Sequence, residues 1–123
     1  VTSSETTVEQ ISEILGLSPT RSERRGAERR SGEVRTHNLW TIEVELLSNT
    51  EEDQTGTGAL AELGMRTQPA QDRISQLPSD CEAKVWWSAD SDSSQGGFVL
   101  PSEVMADIAA LGVDLFGTVY LDD

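Results

Sequence analysis

From Cys81 to Asp90 the chain alternates strictly: Cys81, Ala83, Val85, Trp87 and Ala89 fall on one side, and Glu82, Lys84, Trp86, Ser88 and Asp90 on the other. A period of two marks a strand with one buried and one wet face. The same pattern opens at Trp40, where Trp40, Ile42, Val44 and Leu46 alternate with Thr41, Glu43 and Glu45. Two half-buried strands need an apolar layer against their inner faces, and the rest of the chain offers helices for it.

The first helix is signalled by Thr7-Val8-Glu9-Gln10, which reads as a capping box with Thr7 as N-cap. Val8, Ile11, Ile14 and Leu15 make its apolar stripe, and Gly16 before Pro19 ends it. A second helix opens at Ser102, with Val104, Ile108 and Leu111 on one face and Gly112 as its stop. Between them, Leu60, Leu63, Ile74 and Leu77 mark a helical stretch that Pro69 should split, because proline lacks an amide donor and clashes with the preceding turn. Val1–Ser4 reads as the stub of a strand, and 113–121 as a final strand with apolar residues on both faces. Residues 18–37 hold Pro19, Gly26 and Gly32 and almost nothing apolar, and read as a long charged loop.

The two capped helices echo each other, each ending in Leu-Gly and each lying between strand candidates. Two strand-helix-strand halves joined by a helical insertion predict an α+β, ferredoxin-like two-layer sandwich. Its antiparallel sheet would have about four strands, with helices packed mainly on one face. A chain of 123 residues is read as a single domain over 1–123, with the charged loop at 18–37.

The chain carries 22 acids against 9 bases, a formal charge of −13. Nucleic acids and anionic membranes are met by fields of lysine and arginine, so this balance points instead to basic protein partners. A single cysteine excludes an internal disulfide and a multi-cysteine metal site. There is no apolar run long enough for a bilayer and no signal-like start, so a cytoplasmic protein is expected. The sequence opens with Val1 rather than Met, which leaves room for a removed leading segment.

The run Ile11 to Arg21, with its Leu-Gly-x-x-Pro-Thr corner at Leu15 to Thr20, is followed by Gly26, Trp40 at the head of a strand, and Ala110 to Tyr120. Together they resemble the bacterial family called domain of unknown function 4279. The resemblance covers most of the chain and implies a small α+β domain. It brings no activity or catalytic residues. The first strand looks truncated and the arginine-rich loop enlarged relative to that family.

Three constellations bear on chemistry. His37 is the sole histidine and has no nucleophile or base beside it, so it reads as a polar residue leading into a strand. Cys81 alternates with Ala83 and Val85 as a small core residue does. Asp90-Ser-Asp92-Ser-Ser94 begins like a calcium loop, but Gln95 replaces the turn glycine and Pro101 stands where the bidentate glutamate belongs. Neither a catalytic residue nor a cofactor or metal site is therefore expected.

Two readings of function follow. In the first, Trp86 on the wet side of its strand is joined by Phe116 and Tyr120 if the last strand turns Leu115 and Val119 inward. With Glu43 and Glu45, these would form an aromatic contact set amid negative charge. The chain would then be a non-enzymatic bacterial protein-binding module, in concrete form an immunity protein neutralising a basic, nuclease-type toxin. In the alternative, Arg21, Arg24, Arg25, Arg29, Arg30 and Arg35 clamp a small anion or ligand, since guanidinium forks match phosphate and carboxylate. That second reading includes a homodimer through the open sheet face.

Overall fold

A computed structural model describes the backbone of residues 1–44, 57–91 and 99–121, and the side chains of 1–44, 57–88 and 99–118. The elements run β1 (Thr2–Ser3), α1 (Val8–Leu15), β2 (Arg21–Glu23), β3 (Asn38–Thr41), α2 (Thr57–Arg66), β4 (Cys81–Glu82), β5 (Val85–Ser91), α3 (Ser102–Ala109) and β6 (Leu115–Leu121). Short 3-10 turns at Gln68–Ala70 and Ile74–Gln76 lie between α2 and β4. The described chain is α+β, with three α-helices and a four-stranded antiparallel sheet. Its contacts gather into two compact units, Val1–Glu43 with Pro69–Ala83, and Val44–Gln68 with Lys84–Asp123.

The first unit is built on α1. Its capping box is complete: Gln10 donates its amide to Thr7 Oγ1 at 3.1 Å, and the Thr7 amide donates to Gln10 Oε1 at 2.9 Å. Gly16 closes the helix at φ +69°, a left-handed turn that glycine takes without strain. The buried stripe Val8, Ile11 and Leu15 packs with Trp40 and Ala70. Ile11 and Leu15 are almost fully enclosed, which is worth about 1.5 to 3 kcal/mol each. Trp40 also donates its Nε1 proton to Ser12 Oγ at 2.9 Å, fixing the helix to the sheet.

The sheet of this unit has the order β2-β3-β1-β4. β1 and β2 each run antiparallel to β3, which lies between them, so β1-α1-β2 is a strand-helix-strand turn with a third strand inserted. β1 is only two residues long, yet it is paired on both sides: Thr2 faces Leu39 and Glu82, and Ser3 faces Asn38 and Cys81. Ser3 is fully buried and donates its hydroxyl proton to the Thr6 carbonyl.

In the second unit β5 and β6 form a parallel pair, with α3 between them in sequence. Val104, Ile108 and Leu111 are buried as the periodicity of α3 requires, and Gly112 ends the turn at φ +70°. α2 packs closely on α3, where a Cβ at Gly64 would lie 3.1 Å from Asp107 Cβ. Pro69 does end the α2 pattern, standing in the 3-10 turn that follows Arg66.

Four expectations are corrected. Residues 18–37 are not without structure: they hold β2 and a Glu28–Val34 bridge, tied by Arg35 N–H to the Ala27 carbonyl at 2.9 Å and Gly26 N–H to the Arg35 carbonyl at 2.8 Å. Main-chain pairing and ion pairs order this segment, and neither leaves an apolar period to read. The strand at Trp40 begins earlier and covers Asn38–Thr41, with 42–44 irregular. The stretch Cys81–Ala89 is two strands, because the chain leaves one sheet after Glu82 and starts another at Val85 while keeping its alternation. The final strand is Leu115–Leu121 and is paired with β5 in parallel, outside the antiparallel sheet.

Candidate protein-binding surface

β5 alternates as its sequence demands: Val85 and Trp87 are buried, while Trp86 and Ser88 face water. Adjacent indoles thus meet opposite fates, Trp87 at 8% exposure and Trp86 at 70%. The β5–β6 register sets Trp86 directly opposite Phe116, and their rings stack with centroids 4.9 Å apart at 28°. Lys84, two residues before Trp86 on the same strand side, holds its Nζ 5.1 Å from the centre of the Phe116 ring. A cation over a ring face adds about 0.5 to 1 kcal/mol at exposed sites. Parallel pairs are normally covered on both faces, but here Phe116 remains 38% exposed beside the open indole.

The structure therefore joins two of the residues expected to form the contact, Trp86 and Phe116. Tyr120 pairs with Asp90 in the same ladder, but its side chain lies outside the described ones. Glu43 belongs to the first unit, where it is exposed and bound to Arg21 at 3.0 Å. Glu45 lies outside the described residues. The cation over Phe116 was not anticipated, although its signal, Lys84 in phase with Trp86, is in the sequence.

Five of the six arginines are engaged within their own unit. Arg21 binds Glu43, Arg24 binds Glu9, Arg29 binds Glu33 at 3.9 Å, and Arg35 binds Glu23 at 2.5 Å. The Arg25 guanidinium donates to the Ser4 carbonyl at 3.0 Å, and Arg30 is exposed. The Glu9 carboxyl sits below its usual range because a backbone amide donates to it and Arg24 adds a second hydrogen bond. Pairs as exposed as Arg24–Glu9 and Arg21–Glu43 contribute little to stability individually, whereas Arg35–Glu23 is largely shielded from water.

The remaining chemical candidates are quiet. Cys81 packs against the core of the first unit, and burial pushes its thiol up, away from the thiolate that reactivity requires. His37 is exposed, with Thr36 Oγ1 2.9 Å from its Nδ1. Most of the calcium-like loop, residues 92–98, lies outside the described residues. Among the described residues, no group of three or more His, Cys, Asp or Glu side chains is placed to hold a metal, and no helix is long and apolar enough to cross a membrane.

The family described as Domain of unknown function (DUF4279) matches residues 1–122, nearly the whole chain. The chain belongs to this family. No curated protein and no solved structure matches it. In this DUF4279 chain the Leu15–Thr20 corner has a structural role. Gly16 supplies the left-handed helix stop, and Thr20 gives its amide to the Thr41 carbonyl at 2.9 Å and accepts the Glu43 amide on Oγ1 at 2.8 Å. The corner thus prolongs the β2–β3 pairing past its ends.

Proposed function

We propose that this DUF4279 chain is a non-enzymatic bacterial protein-binding module, an immunity protein that neutralises a basic, nuclease-type toxin. The observation that carries the reading is the stacked Trp86–Phe116 pair, whose indole is 70% exposed. Exposed aromatic anchors are the residues that dominate binding energy once a partner excludes water from them. A net charge of −13 would draw a cationic partner in and suit its active cleft. Lys84 brings one positive charge to the rings, so the attraction comes from the acidic remainder of the chain. In this reading Tyr120 belongs to the contact, Glu43 and Glu45 each offer a basic partner a negative charge, and the protein works in the cytoplasm.

The strand order β4-β1-β3-β2 supports reading the chain as a ferredoxin-like sandwich with helices mainly on one face, the sheet lying in the first unit, whose α-helix is α1. The alternative function, a small anion held by Arg21, Arg24, Arg25, Arg29, Arg30 and Arg35, is favoured less. An incoming phosphate would have to displace the carboxylates that already occupy Arg21, Arg24, Arg29 and Arg35.

The test is co-purification with the product of an adjacent toxin-like reading frame. The complex should hold at low ionic strength and weaken with salt, and Trp86→Ala should weaken it about 30-fold, the effect of a hot-spot residue worth about 2 kcal/mol. Failure to retain any basic partner at low ionic strength sinks the reading.

A further inference from the structure

β6 has β5 on one side and, among the described residues, no strand on the other. Its phase in the ladder says which groups are left over. The Val85 amide donates to the Asp114 carbonyl at 3.0 Å, and the parallel register runs from Val85↔Leu115 to Ser91↔Leu121. In such a ladder the even-numbered residues of β6 turn their amides and carbonyls toward β5. Leu115, Gly117, Val119 and Leu121 therefore turn theirs to the free edge.

Proteins usually blunt an edge like this with lysine, proline, a bulge or a very short strand. β6 uses none of these: it is seven residues, Leu-Phe-Gly-Thr-Val-Tyr-Leu, with no charge and no proline, and Leu115 to Thr118 are all exposed. Its sequence is also nearly symmetric about Thr118. Leucine balances leucine at 115 and 121, phenylalanine balances tyrosine at 116 and 120, and glycine stands against valine at 117 and 119.

We propose that β6 pairs antiparallel with β6 of a second copy about a twofold axis at Thr118, so that two chains share one four-stranded sheet. In that register Gly117 faces Val119 and Leu115 faces Leu121. These are the residues with outward backbone groups, so they form the hydrogen-bonded pairs. Phe116 with Tyr120, and Thr118 with Thr118, fall at the closer non-hydrogen-bonded positions, where aromatic and threonine pairs are favourable. The free edge of β5 lacks this match, since a twofold at Ser88 sets Trp86 against Asp90 and Val85 against Ser91. The chain's negative charge opposes self-association, but none of it lies on β6. Salt should therefore tighten the dimer, the reverse of its effect on a basic partner. The inference rests on the main-chain edge and stands apart from the toxin-binding reading.

Sedimentation equilibrium of the 123-residue chain, from micromolar to millimolar and at low and high salt, tests it. The mass should climb from 13.4 kDa toward twice that value, at lower concentration in high salt. Thr118→Lys and Thr118→Glu, each setting like charges face to face across the axis, should each weaken dimerisation at least about tenfold, and mixing the two should restore a heterodimer. Val119→Pro, which removes an outward amide and leaves the β5 ladder intact, should also abolish it. A wild-type chain that stays monomeric throughout, or lysine and glutamate variants that dimerise as well as wild type, or a mixture that stays monomeric, each overturns the proposal.

Discussion

Asp80 takes both the amide and the hydroxyl of Thr6, with Thr6 N–H on Oδ2 at 2.8 Å and Thr6 Oγ1 on Oδ1 at 2.7 Å. The Glu5 amide adds a third bond to Oδ2 at 2.9 Å. One carboxylate thereby fixes the turn that carries β1 into α1, and the residue supplying it stands immediately before β4. Accepting hydrogen bonds favours the ionised form, first from the Thr6 amide, then from its hydroxyl. The carboxyl is therefore held at about 2 against the ordinary 3.8.

A carboxylate with a depressed pKa stabilises the fold in full above its unfolded value, and that contribution is lost as pH falls through the folded value. Stability measured by urea unfolding should accordingly fall between about pH 4 and pH 2, and Asp80→Asn should flatten that part of the profile. An unchanged acid slope in the Asn variant would show that Asp80 is not its source.

Asn38 is a buried polar junction. Its Nδ2 donates to the Thr6 carbonyl at 2.9 Å, and its Oδ1 accepts the Arg25 amide at 2.8 Å. Asn38→Leu keeps the bulk and strands that amide, so it should cost about 2 kcal/mol, and Asn38→Asp should cost at least as much because it sets a buried carboxylate oxygen against the Thr6 carbonyl. A loss below about 0.5 kcal/mol in the Leu variant would mean the junction is not needed.

The neighbouring tryptophans should part company on truncation. Trp87→Ala empties a buried site and should cost about 3 to 5 kcal/mol. Trp86→Ala gives up only the stacking with Phe116 and should cost about 1 kcal/mol or less. Acrylamide should quench Trp86 fluorescence freely and leave Trp40 and Trp87 shielded. Equal destabilisation by the two substitutions would contradict the assigned faces.

Gly16→Ala should destabilise by about 1 to 2 kcal/mol, because φ +69° is costly for a residue with a Cβ. An added Cβ also meets Arg73 Nη1 at 2.6 Å, but that atom ends a flexible side chain and can move aside. The loss measured by denaturation should therefore persist in an Arg73→Ala background. Full rescue there would place the cost in the contact and acquit the backbone.

What the sequence revealed is what repeats or caps. The Thr7–Gln10 box, the Gly16 stop, the buried face of α3 and the opposed faces of Trp86 and Trp87 are local patterns, and each is present in the structure. Parity made Trp86 legible on the wet face, but Phe116 joins it through the β5–β6 register, which a final strand apolar on both faces does not reveal, and Leu115, expected inward, is as exposed as Phe116. β2 was hidden because its residues are exposed or half-buried, leaving no apolar period behind. The break after Glu82 was hidden because alternation continues through it, and pairing partners leave no mark on a single strand's sequence. Asp80 and Asn38 act on residues far away in the chain, so nothing beside them announces their work.

The position of β1 has a consequence for how this chain comes to be folded. A strand of two residues forms the middle of a sheet, with Leu39 on one flank of Thr2 and Glu82 on the other. During synthesis it leaves the ribosome before either neighbour and must wait for the second until the chain has grown past Glu82. Its closure spans long loops whose entropy has to be overcome first, which slows the search. The sheet is thus completed by a segment made early and seated late, and a chaperone that shields it meanwhile should raise the yield of native protein.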